Sequence, residues 1–201
     1  MPNANRVSGL TPIGYLNGAD WTGAANMYMI GTGDTNLISV GDPVKLSGDG
    51  DTTRGIPGVV QATAGATCVG VVIAVGVNPD GGPFIDPNNL SLVQAPATKL
   101  VNYYALVVDD PQVVFEIQEG GAGANLTSAA IGENADFVAA AAAAGSKVSG
   151  FYLNNNAHDT TATRNLKLLG LARRADNAFG LYAKWRVLIN NHSFRTGVTG
   201  V

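Results

Sequence analysis

Short apolar runs, each ended within a few residues by glycine, proline, asparagine or aspartate, limit what this chain can fold into. Such runs read as β-strands separated by turns. They fall at residues 27–30 and 37–40, which flank Gly31, Thr32, Gly33 and Asp34, and at 43–46, which the sequence Ser-Gly-Asp-Gly-Asp follows as a turn. Further runs lie at 59–62 and 67–77; Gly70 and Gly76 in the latter mark bulges or a close backbone approach. Residues 78–89, NPDGGPFIDPNN, read as a long surface loop, and 90–93 as a short strand. A strand at 102–108, the turn Asp109-Asp110-Pro111 and an alternating strand at 113–118 form the best local hairpin pattern in the chain.

The later half is less regular. Residues 120–124 are a flexible connection, and 126–136 is the one stretch that fits a short helix, weakened by Gly132. The alanine run at 139–144 precedes Gly145 and Ser146 and is read as irregular strand and loop. Strand character returns at 147–153, a polar loop is expected at 154–163, and strands follow at 164–173 and 181–189. Residues 1–25, broken by Pro2, Gly9, Pro12, Gly14, Gly18 and Gly23, read as an extended N-terminal arm. Residues 26–189 then form a β-rich core domain and 190–201 a polar C-terminal tail. The expected fold is mainly β: a sandwich or barrel of about ten short strands with one short helix and extended terminal arms.

Composition narrows the function classes. Charged residues make up 13% of the chain, against roughly 25% in ordinary soluble proteins. With 26 glycines, much of the surface must be small, polar and uncharged. Such a surface suits lasting subunit contact, because little charge has to be dehydrated on assembly, although a small secreted β-protein has a similar composition. The net charge is −3, and the 12 Lys and Arg are scattered, with Arg173 and Arg174 the only adjacent pair. A direct nucleic-acid role is therefore not expected. The most apolar windows, 69–77 and 137–144, fall well short of the roughly 20 residues that span a bilayer, so no membrane partner is expected. The opening MPNANRVSGLTPIGYL lacks the pattern of a secretory leader, which points to synthesis in the cytoplasm. On that reading the N-x-S/T matches at Asn89, Asn125 and Asn191 carry no weight, and the single cysteine, Cys68, is a buried small hydrophobe.

Residue types that carry chemistry are sparse. The two histidines, His158 and His192, have no Cys or second His at ligand spacing, so no metal site is assigned. Adjacent His158 and Asp159 do not by themselves make a proton relay. Gly31-Thr32-Gly33 lacks the third glycine of a dinucleotide loop, with Asn36 in its place, and reads as a turn. Asp49-Gly50-Asp51 lacks the remaining ligands of a calcium loop. Asp109, Asp110, Glu116 and Glu119 form the densest acidic group, which would serve a glycosidase only with two carboxyls placed across a cleft. Trp185 shares a strand face with Ala183 and Val187 and is assigned to the core. No catalytic residue and no cofactor are assigned.

The arm nevertheless carries Leu10, Ile13, Tyr15, Leu16 and Trp21, apolar side chains that must lie on some surface, either their own domain or a neighbouring subunit. Three segments, MPNANRVSGLTPIGYLNGADW, YYALVVDDPQVVFEIQEG and ARRADNAFGLYAKWRVLINNHSF, resemble head decoration or cement proteins of tailed bacteriophages. The resemblance implies a non-enzymatic virion protein on the capsid exterior, with the major capsid protein as partner, a homotrimeric state and an extended terminus reaching a neighbour. On that basis Leu10, Ile13, Tyr15 and Trp21 are the expected interface anchors, and a chain without residues 2–22 is expected to fold but bind capsids poorly. Two other readings are a virion-surface adhesin that binds host glycan through loops 78–89 and 154–163, and a glycan hydrolase built on the acidic hairpin.

Overall fold

The computed structural model describes residues 3–80, 93–142, 146–197 and 199–200. Within them the chain is mainly β, with thirteen strands and a single short 3-10 turn. Five strands close a small barrel: β2 (Asn26–Ile30), β4 (Pro43–Asp51), β5 (Ile56–Gln61), β6 (Gly70–Gly76) and β8 (Tyr103–Val108). Their order around the barrel is β2-β5-β4-β6-β8, and only the β2–β5 pair is parallel. Six more strands form an antiparallel sheet in the order β1-β9-β13-β12-β10-β11. They are β1 (Thr11–Tyr15), β9 (Val113–Gln118), β10 (Asn134–Val138), β11 (Tyr152–Asp159), β12 (Leu166–Leu171) and β13 (Lys184–Ile189). A two-stranded ribbon pairs β3 (Ile38–Ser39) with β7 (Gln94–Ala95).

Two cores result, and the barrel wall serves both. Val72 and Val107 point into the barrel with Tyr28, Ile30, Val44, Val59, Val69 and Val75. Their neighbours Val71 and Val108 point the other way, onto Phe115, Ile117, Phe137, Phe151, Trp185 and Val187 of the sheet side. Alternation with period two thus gives each of β6 and β8 two buried faces, which explains their near-continuous apolar runs. Gly70 is required by this packing. A Cβ there would sit 2.2 Å from the Val108 carbonyl oxygen, the close backbone approach expected from its place in the run.

Several sequence expectations change. The turn at Asp109-Asp110-Pro111 forms, with the Gln112 N–H donating to Asp110 Oδ1 (2.8 Å) and the Val113 N–H to the Asp110 carbonyl (3.1 Å). It does not make a hairpin, because barrel closure occupies both edges of β8 with β2 and β6. β9 is therefore diverted into the second sheet, between β1 and β13. The Ser-Gly-Asp-Gly-Asp stretch is not a turn but the second half of β4, with a register shift between Leu46 and Gly50; the chain reverses at residues 52–55. The expected helix at 126–136 reduces to a 3-10 turn, Ser128–Ala130, capped by the Thr127 hydroxyl. Gly132 then takes a positive φ of 92°, and β10 begins. The expected polar loop at 154–163 is largely β11, an edge strand whose Asn155 and Asn156 donate to the Ala124 and Ala122 carbonyls. Most of the expected loop at 78–89, most of the strand at 90–93 and the end of the alanine run lie outside the described residues.

The N-terminal arm lies on its own domain. Leu10 is buried in the sheet-side core, and its N–H donates to the Gly41 carbonyl (2.9 Å). The close approach rests on two glycines: a Cβ on Gly9 would lie 2.3 Å from Gly41 O, and one on Gly41 would lie 2.3 Å from Ser8 O. The tail is anchored as well. The Cys68 N–H donates to Asn191 O and the Ser193 N–H to Cys68 O, while Arg195 reaches the carbonyls of Pro111 and Ile189. Cys68 is fully buried, as expected.

Gly9 has a positive φ of 69° as well as no room for a side chain. Gly9→Ala is therefore expected to lower unfolding free energy by about 2–4 kcal/mol in urea titration, a combination of strain and displaced backbone. Removing residues 2–22 strips β1 from β9 and Leu10 from the core. That truncation is expected to unfold at lower temperature than the full chain, rather than leave an intact core.

Candidate interaction surface

The most exposed large apolar side chain described is Leu100, at 93%, followed in sequence by Val101 at 55%. Their exposure is imposed by what flanks them. Lys99 points inward, its ammonium fully buried, and donates to the carbonyl oxygens of Asp34 (2.7 Å) and Asn36 (2.8 Å). The Asp34 carboxylate lies 3.7 Å away. The other carboxylate oxygen of Asp34 accepts from the Asn36 backbone N–H (3.0 Å) and side-chain amide (2.8 Å), which shapes the loop around the ammonium. Burial draws the Lys99 pKa down while Asp34 opposes that shift. On the other side of the pair, Asn102 Oδ1 accepts the Thr32 N–H (3.2 Å), and Tyr103 then enters β8 opposite Ile30. Leu100 and Val101 are thus a two-residue tip held at both ends, with their side chains in solvent.

The anchors expected from the sequence are dispersed. Leu10 is in the core and not available to a partner, because β1 pairs with β9 instead of hanging free. Tyr15 and Trp21 are half-buried against the same core, and the Trp21 indole N–H donates to Ala24 O (3.4 Å). Ile13 is 40% exposed, and Leu16, which follows β1, is 50% exposed. Of the four, only Ile13 is exposed. The Leu100 and Val101 tip escaped sequence reading because its signal is faint: one of five lysines, placed directly before two large apolar residues.

The titratable groups that could carry chemistry are absorbed into local bonds. Asp109 accepts from Asn26 and from the Tyr28 hydroxyl (2.7 Å); burial first, and then this bond, push the tyrosine pKa up. Asp110 serves the turn before β9. Glu116 is bound by Arg174 (2.9 Å) and Lys184 (3.3 Å). Glu119 is fully buried and accepts the Trp185 indole N–H (3.0 Å), so Trp185 is core and offers no face to a sugar or base. His158 Nδ1 lies 2.5 Å from Glu133 Oε2. His192, expected in a polar tail, is buried beside Cys68, with its pKa drawn down to about 4 by burial and by Arg195. Among the described residues no three His, Cys, Asp or Glu side chains are grouped to hold a metal ion. Among those same residues no helix is long and apolar enough to cross a membrane.

Compared with protein-family models, curated proteins and solved structures, the chain finds no match in any of the three.

Two outcomes follow from the buried charges. Lys99→Met leaves the Asp34 carboxylate buried and unpaired, and is expected to cost on the order of 3 kcal/mol in urea unfolding, with faster hydrogen exchange at residues 100–102. Glu119 has its pKa pushed up to about 7 by burial, which outweighs the opposing hydrogen bonds from the Trp185 indole and the Leu126 backbone. The folded state therefore holds this proton more tightly than the unfolded chain. Stability from this group is complete below the ordinary carboxylate pKa and is lost as pH rises toward 7. Glu119→Gln is expected to raise the melting temperature at about pH 8 and leave it nearly unchanged at about pH 4, a difference on the order of 2–3 kcal/mol.

Proposed function

We propose that this chain is a non-enzymatic structural protein of a bacteriophage virion that binds the outer surface of the capsid and joins adjacent major capsid protein subunits, working as a homotrimer. The observation that carries the reading is the Leu100 and Val101 tip, a pair of apolar side chains thrust outward by a buried ammonium clamp. Leaving a leucine this exposed on a braced loop gains nothing for the isolated fold. On a partner with a matching pocket, burial of the pair supplies roughly 1.5–3 kcal/mol per side chain, and the brace means that little loop entropy is lost on docking. Ile13 and Leu16 on the β1 side offer a second, smaller apolar contact. The low charge content supports the same reading, since few ions need to be dehydrated on assembly.

The physical mechanism is linkage. A protein that binds the assembled lattice and not its separated subunits stabilises the lattice in proportion to occupancy. Three copies in one assembly add avidity, because after the first foot docks the others bind at high effective concentration.

The test is co-sedimentation with capsids that lack the protein. The native chain is expected to bind saturably at a copy number related to capsid symmetry, and to raise the temperature at which capsids open. A Leu100→Asp, Val101→Asp double variant, folded by circular dichroism, is expected to bind at least about tenfold more weakly. A native chain that ignores capsids refutes the function. A double variant that binds as the native chain does refutes the tip as its anchor.

A further inference from the structure

Five of the twelve lysines and arginines that look scattered in sequence are gathered on one side of the sheet. Glu116 of β9 and Lys184 and Arg186 of β13 alternate with Ile117, Trp185 and Val187, which point to the core. Their side chains therefore stand on the face turned away from the barrel. Ala172, Arg173 and Arg174, just past the end of β12, and Ile13 of β1 border the same face, where a shallow cavity of about 510 Å³ is lined by Ile13, Glu116, Ala172, Arg173, Arg174 and Arg186. A second hollow of about 110 Å³ adjoins it across Arg174 and adds Arg6, Asp176 and Lys184. The trough holds five cations against two carboxylates. Arg174 bonds both Glu116 (2.9 Å) and Asp176 (3.3 Å), and Lys184 shares Glu116. Among the described residues Arg6, Arg173 and Arg186 have no anionic partner for their guanidinium groups. In a chain of net charge −3, this is a local reversal of sign.

We propose that this trough is a docking site for a short, extended, acidic segment of a partner protein. Planar guanidinium forks match carboxylates in pairs of parallel hydrogen bonds, and three of them are free here. The trough crosses β1, β9, β13 and β12. Three strand spacings make it about 14 Å long, the reach of roughly four residues of extended chain. Ile13 and Ala172 give it an apolar part, so the segment pairs acidic side chains with an aliphatic one. Glu116 and Asp176 divide the positive surface into separate sites. Discrete carboxylates fit that division, whereas the even charge of a phosphodiester backbone meets two repulsive groups. The trough is on the sheet and the Leu100 and Val101 tip is on a barrel loop, so this inference does not rest on capsid binding.

The experiment is a titration of the ¹⁵N-labelled full chain at low salt with the acetylated, amidated peptide Leu-Glu-Thr-Glu-Glu, followed by amide and arginine side-chain chemical shifts. Saturable shifts are expected at Ile13, Glu116, residues 184–186 and residues 172–174, and raised salt is expected to weaken them. An Arg173→Gln, Arg186→Gln variant, both side chains facing solvent, is expected to keep its spectrum elsewhere and lose at least about tenfold in affinity. Lys147→Gln, a charge removed outside the trough, is expected to bind as the native chain does. Absent shifts, shifts spread over the whole surface, or undiminished binding by the double arginine variant would each overturn the proposal. Tighter binding of a short DNA duplex to the same residues would overturn it in favour of a nucleic-acid surface.

Discussion

Closure of the five-stranded barrel is the constraint on which the rest of this structure depends. A strand in a closed barrel has no free edge, so β8 cannot accept β9 across the tight turn that joins them. The chain must leave the barrel at Asp110 and begin a new sheet, and that sheet needs a surface to cover. The barrel supplies it through the outward-facing Val71 and Val108, one residue removed from the inward-facing Val72 and Val107. One pair of strands thus links the two cores. Gly70 follows from the same requirement, since the backbone of β8 passes where its side chain would be.

The termini are drawn in for a related reason. The new sheet has two edges, and β1 covers the one beside β9. Leu10 enters the core just before β1, and Gly9 and Gly41 let the two backbones pass in contact. At the far end of the chain, polar residues do the holding. Asn165 bonds the Gly65 N–H and the Ala66 carbonyl, and Asn191 the Gly65 carbonyl, so the loop after β5 is tied to β12 and to the tail. With both termini engaged, Leu10 is lost to a partner, while other large apolar side chains stay exposed. Leu100 and Val101 lie on the barrel side, Ile13 within a basic trough on the sheet side, and Phe194 in the tail.

Charge is divided along the same line. Residues 26–110 hold eight acidic and three basic side chains, whereas residues 111–201 hold six acidic and eight basic ones. Along the chain this division is diluted by many uncharged residues. In the fold the two halves become a barrel and most of a sheet, and the surfaces they present differ in sign. A protein this poor in charge has only a few places where electrostatic recognition can act, and the outer face of β13 is one of them.

Secondary structure was legible wherever a local pattern sufficed. The β-rich class, the strands around residues 27–30, 59–62, 102–108, 113–118 and, apart from its first three residues, 181–189, the burial of Cys68 and Trp185, and the tight approach at Gly70 all follow from side-chain size, branching and period. Partners across space were not legible. The sequence around Asp109-Asp110-Pro111 specifies a turn but not which sheet receives the strand beyond it. Leu10 looks like a free anchor until β1 is seen paired with β9. Arg6, Arg173 and Arg186 look scattered until β12 and β13 bring two of them onto one face. The sequence by itself determined where the backbone can extend and where it must bend, because those choices are made by each residue's own sterics. Only the tertiary structure decided which edges meet, which side chains are buried and which charges stand together, because those depend on contacts between residues far apart in the chain.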